Sequence, residues 1–178
     1  MTRLTTHRLE LRPITLDDAP AYWPLVSDPA VQRYTGEAPL GSVADVRDML
    51  ARLPLRDYRV HGYGRLACIE KASGTLIGFC GLKYLEDIHE VDIGYRFMSA
   101  YWGQGYATES AQAVMQHGKH VLGIDRIIGL VDPENVGSVH VLQKLGLVLE
   151  SRIRLADYPE ELLLYAPPQS SSESESAS

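Results

Sequence analysis

The feature that most constrains the fold is a change of hydrophobic period in the middle of the chain. Three strand-like segments follow each other closely at residues 63–70, 75–85 and 89–98. Apolar residues then recur at helical spacing from about residue 105 to about residue 122. Because strands joined by such short turns pair antiparallel, the sequence predicts an antiparallel sheet whose last strand leads into a long amphipathic helix.

Weaker patterns on both sides of this centre complete the prediction. They indicate, in chain order, a strand at 9–12, helices that begin after Thr15 and after Ser42, a strand at 126–131, a helix at 135–145 and strands at 147–153 and 161–166. The predicted order is β-α-α-β-β-β-α-β-α-β-β. This is an α+β fold with a mixed, mostly antiparallel central sheet of about seven strands, flanked by four helices.

The end of the chain differs in composition from the rest. Residues 1–168 are predicted to form one domain, and residues 169–178 are predicted to be a disordered tail. The tail is rich in serine and glutamate and has no large apolar residue, so it cannot bury enough surface to fold.

The charge balance narrows the classes of partner. The chain has 17 Lys and Arg against 23 Asp and Glu, a formal net charge of −6. This argues against non-specific binding of nucleic acid, which depends on the neutralisation of phosphates. No apolar run is long enough to span a bilayer, and the first residues lack the apolar core of a signal peptide. We therefore expect a cytoplasmic protein that does not associate with membranes.

The cysteines and histidines predict neither a disulfide framework nor a metal site. Cys68 and Cys80 lie in apolar, strand-like runs and are interpreted as reduced packing residues, with a disulfide as the weaker alternative. His117 and His120 could share a helix face, but no further ligand is near them in the sequence. Two solvated histidines are the simpler interpretation.

The most informative segment, residues 93–109, connects the third central strand to the long helix. Gly103 and Gly105 come just before this helix. A helix N-terminus leaves backbone N–H groups unpaired and carries partial positive charge, and glycine removes the Cβ that would keep a ligand away. These features favour a phosphate or pyrophosphate site. The alternative is that the glycines serve backbone angles alone.

Two familiar phosphate motifs do not fit this segment. The dinucleotide fingerprint requires Gly or Ala three residues after its second glycine, where this chain has Thr108. The P-loop requires Gly-Lys and then Ser or Thr after four free positions, and the sequence contains no such run.

The segment resembles instead the signature of the GNAT acetyltransferase superfamily, Gln/Arg-x-x-Gly-x-Gly/Ala. That signature aligns with Trp102-Gly103-Gln104-Gly105-Tyr106-Ala107. Gly105 and Ala107 match it, whereas Trp102 departs from the Gln or Arg. A Tyr-Trp-Gly opening, as found here, is common in the Rim-type branch, which contains the ribosomal-protein N-terminal acetyltransferases and their relatives.

A second segment resembles the same family. Asn135-x-x-Ser138 followed by Lys144-Leu145-Gly146-Leu147 is similar to the family's Asn-x-x-Ser-x-x-x-x-x-Lys-x-Gly-Phe helix, with Leu147 in place of Phe. Taken alone, Asn135 would be a plain helix cap and Ser138 a polar residue of the first turn. Together with the glycine loop one strand upstream, the functional interpretation is favoured.

The resemblance implies that acetyl-coenzyme A is the co-substrate. Backbone N–H groups of the glycine loop would hold the pyrophosphate, Asn135 would bond the pantetheine arm, and Ser138 would lie near the thioester sulfur. A strand bulge near Phe97 and Met98 would expose an N–H group toward the acyl oxygen. The implied cofactor-binding residues are Phe97, Met98, Gly103, Gln104, Gly105, Tyr106, Ala107, Thr108, Asn135 and Ser138.

Acetyl transfer to an amine also needs a proton acceptor for the amine and a path for the leaving thiolate. Glu90 is the predicted catalytic base, because the family often has an acidic residue at the start of this strand; a solvated strand-end charge is the alternative. Asp92 has the same strand parity, and Glu109 is expected to have a structural capping role. Ser138 is the predicted acid for the thiolate, with water or unassisted departure as alternatives, since Leu142 occupies the position of the tyrosine that many relatives use.

Other candidates concern the acceptor side. Trp23, Tyr34 and Tyr63 lie in the half of the chain where the family recognises its acceptor, and they are candidates for the acceptor pocket. His89 and His140 could each act as a base, but lone histidines are more simply surface or packing residues.

The sequence therefore predicts an N-acetyltransferase that moves the acetyl group of acetyl-coenzyme A to a primary amine by direct attack on the thioester. The amine would belong to a protein N-terminus or to a small molecule. Two alternatives stay open: a regulatory module that binds coenzyme A without turnover, and a structural protein whose glycine loop binds nothing. The resemblance also allows a homodimer.

Overall fold

One mixed sheet forms the centre of the computed structural model, which describes residues 2–169. The strands in this part of the chain are β1 (Leu4–Thr5), β2 (Leu9–Pro13), β3 (Arg65–Glu70), β4 (Thr75–Leu85), β5 (Glu90–Phe97), β6 (Ile127–Val131), β7 (Val148–Ile153) and β8 (Leu162–Ala166). The helices are α1 (Ala19–Ser27), α2 (Pro29–Gln32), α3 (Val43–Arg52), α4 (Pro54–His61), α5 (Tyr106–His120) and α6 (Val136–Lys144). Across the sheet the strands follow the order β1-β2-β3-β4-β5-β6-β8-β7.

The predicted α+β architecture, with a mostly antiparallel sheet, is confirmed, and two details differ. The short strand β1 pairs with β2 and adds an eighth strand within residues 2–169. The two helices predicted before the central strands are four, because Pro29 and Pro54 each begin a new helix. A proline disfavours the helical conformation of the residue before it, and Asp28 is accordingly extended (φ −78°, ψ 117°).

Helices cover both faces of the sheet. On one face, Ala111 and Val114 of α5 pack with Ile93 and Phe97 of β5 in a shared apolar core. On the other face, α1 and α3 form a second core with Phe79 of β4. Successive strand residues point to opposite faces, so the odd-numbered residues of β5 face α5 and the even-numbered residues face the α1–α4 side.

The sheet opens between β5 and β6. These two strands are parallel, and they pair only through Val91 with Ile127 and through Asp92 with Ile128. From Gly129 onward β6 pairs with β8 instead. The strands therefore diverge after Asp92, and the gap between them leads toward the start of α5.

Three further expectations concern the cysteines, membrane-spanning helices and the tail. Cys68 and Cys80 are both buried and unpaired, as predicted, and burial raises the pKa of both thiols. Within residues 2–169, no helix combines the length and the apolar character that crossing a bilayer requires. Most of the predicted tail, residues 170–178, lies outside the described residues.

Candidate active site

A cleft of about 1010 Å³ occupies the gap between the diverging strands. Its lining comes from the second half of β5, the loop that leads into α5, the end of β6 and the first turns of α6. The opposite wall comes from the segment after α2, from α4 and from the loop between β7 and β8. The cleft thus runs through the sheet and is bounded by elements from both faces.

The glycine loop places an open helix end in this cleft. Gly103 and Gly105 have positive φ angles of 71° and 84°, which glycine adopts without steric cost. Gly105 is the N-cap residue of α5, and no side chain caps the helix there. The first backbone bond of the helix runs from Glu109 N–H to the Gly105 carbonyl at 3.0 Å, so the N–H groups before Glu109 are available to a ligand.

Most of the predicted cofactor residues of the loop line the cleft: Gly103, Gly105, Tyr106, Ala107 and Thr108. Gln104 does not, because its side chain turns back and donates to the Ala100 carbonyl at 3.1 Å. The uncapped N–H groups, the absent Cβ atoms and the positive end of the α5 dipole fit a pyrophosphate group.

Arg8 adds a cation beside the loop that sequence reasoning missed. Its guanidinium lies 4.0 Å above the Tyr106 ring, and Nη2 would lie 3.5 Å from a Cβ placed on Gly105. Glu109 holds Arg8 there, with Oε1 2.8 Å from Arg8 Nε, and it also accepts a 2.6 Å bond from the Thr6 hydroxyl. Glu109 thus ties the start of the chain to α5 instead of capping the helix.

A hydrogen-bonded pair of hydroxyl groups lies on the α5–α6 side of the cleft. Asn135 caps α6 by accepting the Ser138 N–H at 3.3 Å. The Ser138 Oγ lies 2.7 Å from the Tyr95 hydroxyl, and burial raises the pKa of Tyr95. Sequence reasoning found Asn135 and Ser138 but not Tyr95, although its odd position on β5 would have assigned it to this face. Leu142 is 1% exposed and belongs to the core.

The structure does not bring Glu90 to the cleft. Both of its carboxylate oxygens lie 3.1 Å from Arg126 Nε, and Arg126 also pairs with Glu150 at 2.6 Å. The cause is the parallel register: because Val91 pairs with Ile127, Glu90 and Arg126, which precede these two residues, meet at the closed end of the gap. The Glu90 side chain is therefore occupied by an ion-pair network at that end.

Asp92 lines the cleft instead. Its side chain is on the α1–α4 face, is 8% exposed, and accepts a 3.2 Å bond from the Leu130 N–H. Leu130 can donate to a side chain here because β5 and β6 no longer pair beyond Asp92. Burial raises the pKa of Asp92 to about 7, although Arg65, the Leu130 bond and Lys83 lower it in part.

The expected bulge near Phe97 and Met98 is not present. The pairing of β4 with β5 keeps one register from Gly78–Phe97 to Leu85–Glu90. The Met98 N–H donates to the Ile77 carbonyl at 2.9 Å, so it is not free, and Met98 does not line the cleft. Since hydrogen-bonding direction alternates along a strand, the N–H of Phe97 points away from β4 and toward the gap.

Of the three candidates for the acceptor pocket, one lies in the cleft and two do not. Tyr34 lines the cleft, whereas Trp23 and Tyr63 pack on the two apolar cores and do not. Tyr158, which sequence reasoning missed, closes this end: its hydroxyl lies 3.0 Å from the Tyr34 carbonyl oxygen and 2.9 Å from Asp132 Oδ2. Its burial and the Asp132 bond raise the pKa of Tyr158 to about 12.

The two histidine candidates differ in position. His140 lines the cleft, whereas His89 does not line it and pairs with the Tyr84 hydroxyl at 3.0 Å. Within the described part of the chain, no three His, Cys, Asp or Glu side chains are grouped as a metal site requires.

Known proteins are similar to this chain in sequence. Residues 8–148 match the family described as acetyltransferase (GNAT) domain. An uncharacterized N-acetyltransferase of Bacillus licheniformis, p20, is 33% identical over 156 residues, which are 86% of this chain and 86% of p20. The spermidine N(1)-acetyltransferase of Escherichia coli K12 is 25% identical over 84% of this chain and 77% of its own length.

A solved structure shows the same fold. RimL, a ribosomal L7/L12 alpha-N-protein acetyltransferase in complex with coenzyme A, superposes with a TM-score of 0.78. The match covers 93% of this chain and 97% of RimL at 22% sequence identity.

Proposed function

Because the chain belongs to the GNAT family of acetyltransferases, we propose that it moves the acetyl group of acetyl-coenzyme A to a primary amine by direct attack on the thioester. One observation carries the proposal: the uncapped N-terminus of α5 and the buried carboxylate of Asp92 open into the same cleft. The first suits the coenzyme's pyrophosphate, and the second suits the amine's proton.

The residues that would hold the coenzyme are those of the loop and of α6. The N–H groups of Tyr106, Ala107 and Thr108 would bind the pyrophosphate, with Arg8 as an additional cation. Asn135 and Ser138 would lie along the pantetheine arm. Coenzyme A is part of the RimL complex, which supports coenzyme A as the ligand of this fold. Bound acetyl-coenzyme A would supply an acetyl group that is already activated as a thioester.

Asp92 is the base that the geometry favours. A primary amine with a pKa of about 10 is mostly protonated at neutral pH, so it must lose a proton before it can attack. A carboxylate with a pKa of about 7 is half ionised at neutral pH and is a stronger base than an ordinary aspartate. Asp92 would take the proton directly or through one water molecule, whereas Glu90 is held by Arg126.

Phe97 would act on the acyl oxygen of the thioester, and Ser138 would act on its sulfur. The Phe97 N–H would stabilise the negative charge that develops on the acyl oxygen. When the new C–N bond forms and the C–S bond breaks, the Ser138 hydroxyl would give a proton to the sulfur. Tyr95, 2.7 Å from Ser138 Oγ, would return a proton to Ser138, and the proton that the attacking nitrogen loses as the amide forms would restore Tyr95 through water.

Thiol release from acetyl-coenzyme A in the presence of an amine panel tests the function. The panel holds N-terminal peptides, polyamines and amino acids, and calorimetry measures coenzyme A binding separately. We expect coenzyme A binding and acetylation of at least one amine class. Binding without turnover on any amine would indicate a regulatory module, and absence of binding at millimolar coenzyme A would indicate a structural protein.

The proposal does not by itself select the class of acceptor, because RimL is named for a protein N-terminus and the Escherichia coli relative for spermidine.

Two further expectations belong to this proposal. A cytoplasmic location and a homodimer stay predictions, the second of which size-exclusion chromatography with light scattering would check.

A further inference from the structure

Arg65 is a cation in the wall of the cleft, and its guanidinium group is only partly satisfied by the described residues. Its Nε is buried and has no hydrogen-bond partner among the described residues. The neighbouring cations are paired: Lys83 Nζ lies 3.0 Å from Asp57 Oδ2, and Arg96 Nη2 lies 3.2 Å from Glu37 Oε2. Within residues 2–169, no carboxylate is paired with Arg65 in this way.

Two glycines determine where the guanidinium lies. A Cβ on Gly81 of β4 would lie 2.5 Å from the Cα of Arg65, its partner on β3, so only glycine lets the two strands approach this closely here. A Cβ on Gly94 would lie 2.9 Å from Arg65 Nη2 and 3.1 Å from Nε. The guanidinium therefore rests directly on the backbone of β5, with its Cζ 5.0 Å from the Phe79 ring centroid.

This position is next to the proposed base. Asp92 precedes Gly94 by two residues on the same face of β5, a separation of about 7 Å along the strand. Both Asp92 and Arg65 line the cleft. A proton acceptor and an unpaired cation thus face one space on the α1–α4 side, opposite the Ser138 hydroxyl.

Leaving the buried Arg65 Nε without an acceptor is unfavourable, because its N–H group loses water without gaining a hydrogen bond. A planar anion compensates for that loss best, since the guanidinium fork matches two carboxylate oxygens. A ligand that binds both groups would therefore carry an amine toward Asp92 and a carboxylate toward Arg65.

We propose that Arg65 binds a carboxylate that the acceptor carries close to its amine. The acceptor is then an amino acid or a peptide whose N-terminal residue is aspartate or glutamate. This inference rests on the proposed acetyl transfer and specifies its acceptor. A polyamine fits this position poorly, because it would bring further positive charge to an unpaired guanidinium group.

Matched acceptors test the proposal, because the two members of each pair differ in the carboxylate and have similar amines. One pair is L-alanine and L-alaninol, and the other is the amides of Asp-Ala and Asn-Ala. Spermidine is a third arm. A hydrogen-bonded charge pair changes binding by about 10- to 100-fold, so we expect kcat/KM to be at least about 10-fold higher for the carboxylate member of one pair. The pair that shows the preference identifies the source of the carboxylate.

Variants then assign the preference to Arg65. Arg65→Met should bring the ratio of kcat/KM within the pair close to one, and Arg65→Lys should keep part of it. Gly94→Ala, which leaves the charge but displaces the guanidinium, should also lower the ratio. The matched control is Arg56→Met, which removes an exposed cation of the same cleft that lies 3.5 Å from Glu86; its ratio should equal that of the unmodified protein.

Folding and function are checked separately. A rise of the melting temperature with acetyl-coenzyme A shows that a variant is folded and binds the co-substrate. Acetylation of amines without a carboxylate preference, a preference that survives in Arg65→Met, or spermidine as the best acceptor would each overturn the inference and leave the proposed function intact. Absence of turnover on every amine would overturn the proposed function and this inference with it.

Discussion

At the scale of single residues, the register of two parallel strands decides which carboxylate meets the cleft. Glu90 and Asp92 are two positions apart on one strand and share a face, so strand parity does not separate them, and the family resemblance pointed to Glu90. Because Val91 pairs with Ile127, Glu90 meets Arg126 and is neutralised there. Asp92 is the last residue of β5 to pair with β6, and its carboxylate reaches the space where the strands part.

The pair of variants Asp92→Asn and Glu90→Gln tests this assignment. A missing general base lowers the rate by about 10²- to 10⁴-fold, so we expect Asp92→Asn to lose at least about 100-fold in kcat/KM. Glu90→Gln should stay within about 3-fold of the unmodified protein. Steady-state thiol release measures both, and calorimetry with coenzyme A confirms that each variant still binds it.

The pH profile gives a second readout of the same assignment. The base acts only when ionised, so kcat/KM for the unmodified protein should fall about tenfold per unit below a pKa of about 7. Above that pH the Asp92 carboxylate is already ionised, so it no longer contributes to the change of kcat/KM with pH. The same inflection should appear in Glu90→Gln. An inflection that disappears in Glu90→Gln and persists in Asp92→Asn would show that Glu90 is the base after all.

At the scale of elements, α5 has an open N-terminus, in contrast to α3 and α6. Ser42 caps α3 by accepting the Asp45 N–H at 3.1 Å, and Asn135 caps α6. The first residue before α5 is Gly105, which has no side chain and a left-handed φ of 84°. The donors that a side chain satisfies in α3 and α6 are left for a ligand in α5, which suits a pyrophosphate site.

Gly105→Ala tests the role of this helix end. An L-residue in the left-handed conformation costs about 1–2 kcal/mol, and the new Cβ would stand beside Arg8 where the phosphates are expected. We expect the Kd for coenzyme A to rise at least about 10-fold, as measured by calorimetry.

Gly123→Ala is the matched control for that change. Gly123 has a similar φ of 68°, and a Cβ there would meet no atom within 4 Å. It lies after α5, away from the residues of the cleft. The variant Gly123→Ala should lose about as much stability as Gly105→Ala, and its affinity for coenzyme A should be unchanged. Equal losses of affinity in both variants would mean that backbone strain, and not the phosphate site, explains the Gly105 result.

At the scale of the whole molecule, the buried carboxylate of Asp92 links stability to pH. Its folded pKa of about 7 lies above the ordinary value of 3.8. The contribution of this group to stability is therefore fully present below pH about 4 and is lost progressively as pH rises through about 7. Between pH 5.5 and 8 this loss amounts to about 2 kcal/mol.

The substitution Asp92→Asn removes this titrating group and keeps all the others, so it removes this pH dependence. The difference in melting temperature between Asp92→Asn and the unmodified protein should therefore shift in favour of the variant by several degrees between pH 5.5 and pH 8. Differential scanning calorimetry without coenzyme A measures it. A difference that is the same at both pH values would mean that burial does not raise the pKa of Asp92.

The parts that sequence reasoning predicted are those that neighbouring residues control. The change of period from strand to helix, the two glycines before α5 and the Asn135 cap each depend on contacts within a few residues. Such contacts can be read from the sequence, because they depend on the spacing of apolar residues and on the positions of glycine and capping residues. For that reason the predicted fold class was confirmed.

The parts that it missed depend on residues far apart in the chain. Arg8 reaches the glycine loop through Glu109, Tyr95 meets Ser138 across the gap, and Arg65 lies on Gly94. Each position follows from strand order, register and the divergence of β5 from β6, which no local pattern encodes. By itself, the sequence determined most of the helices and strands and the glycine loop before α5; only the tertiary structure decided which carboxylate, hydroxyl and cation line the cleft, because packing between distant segments brings them together.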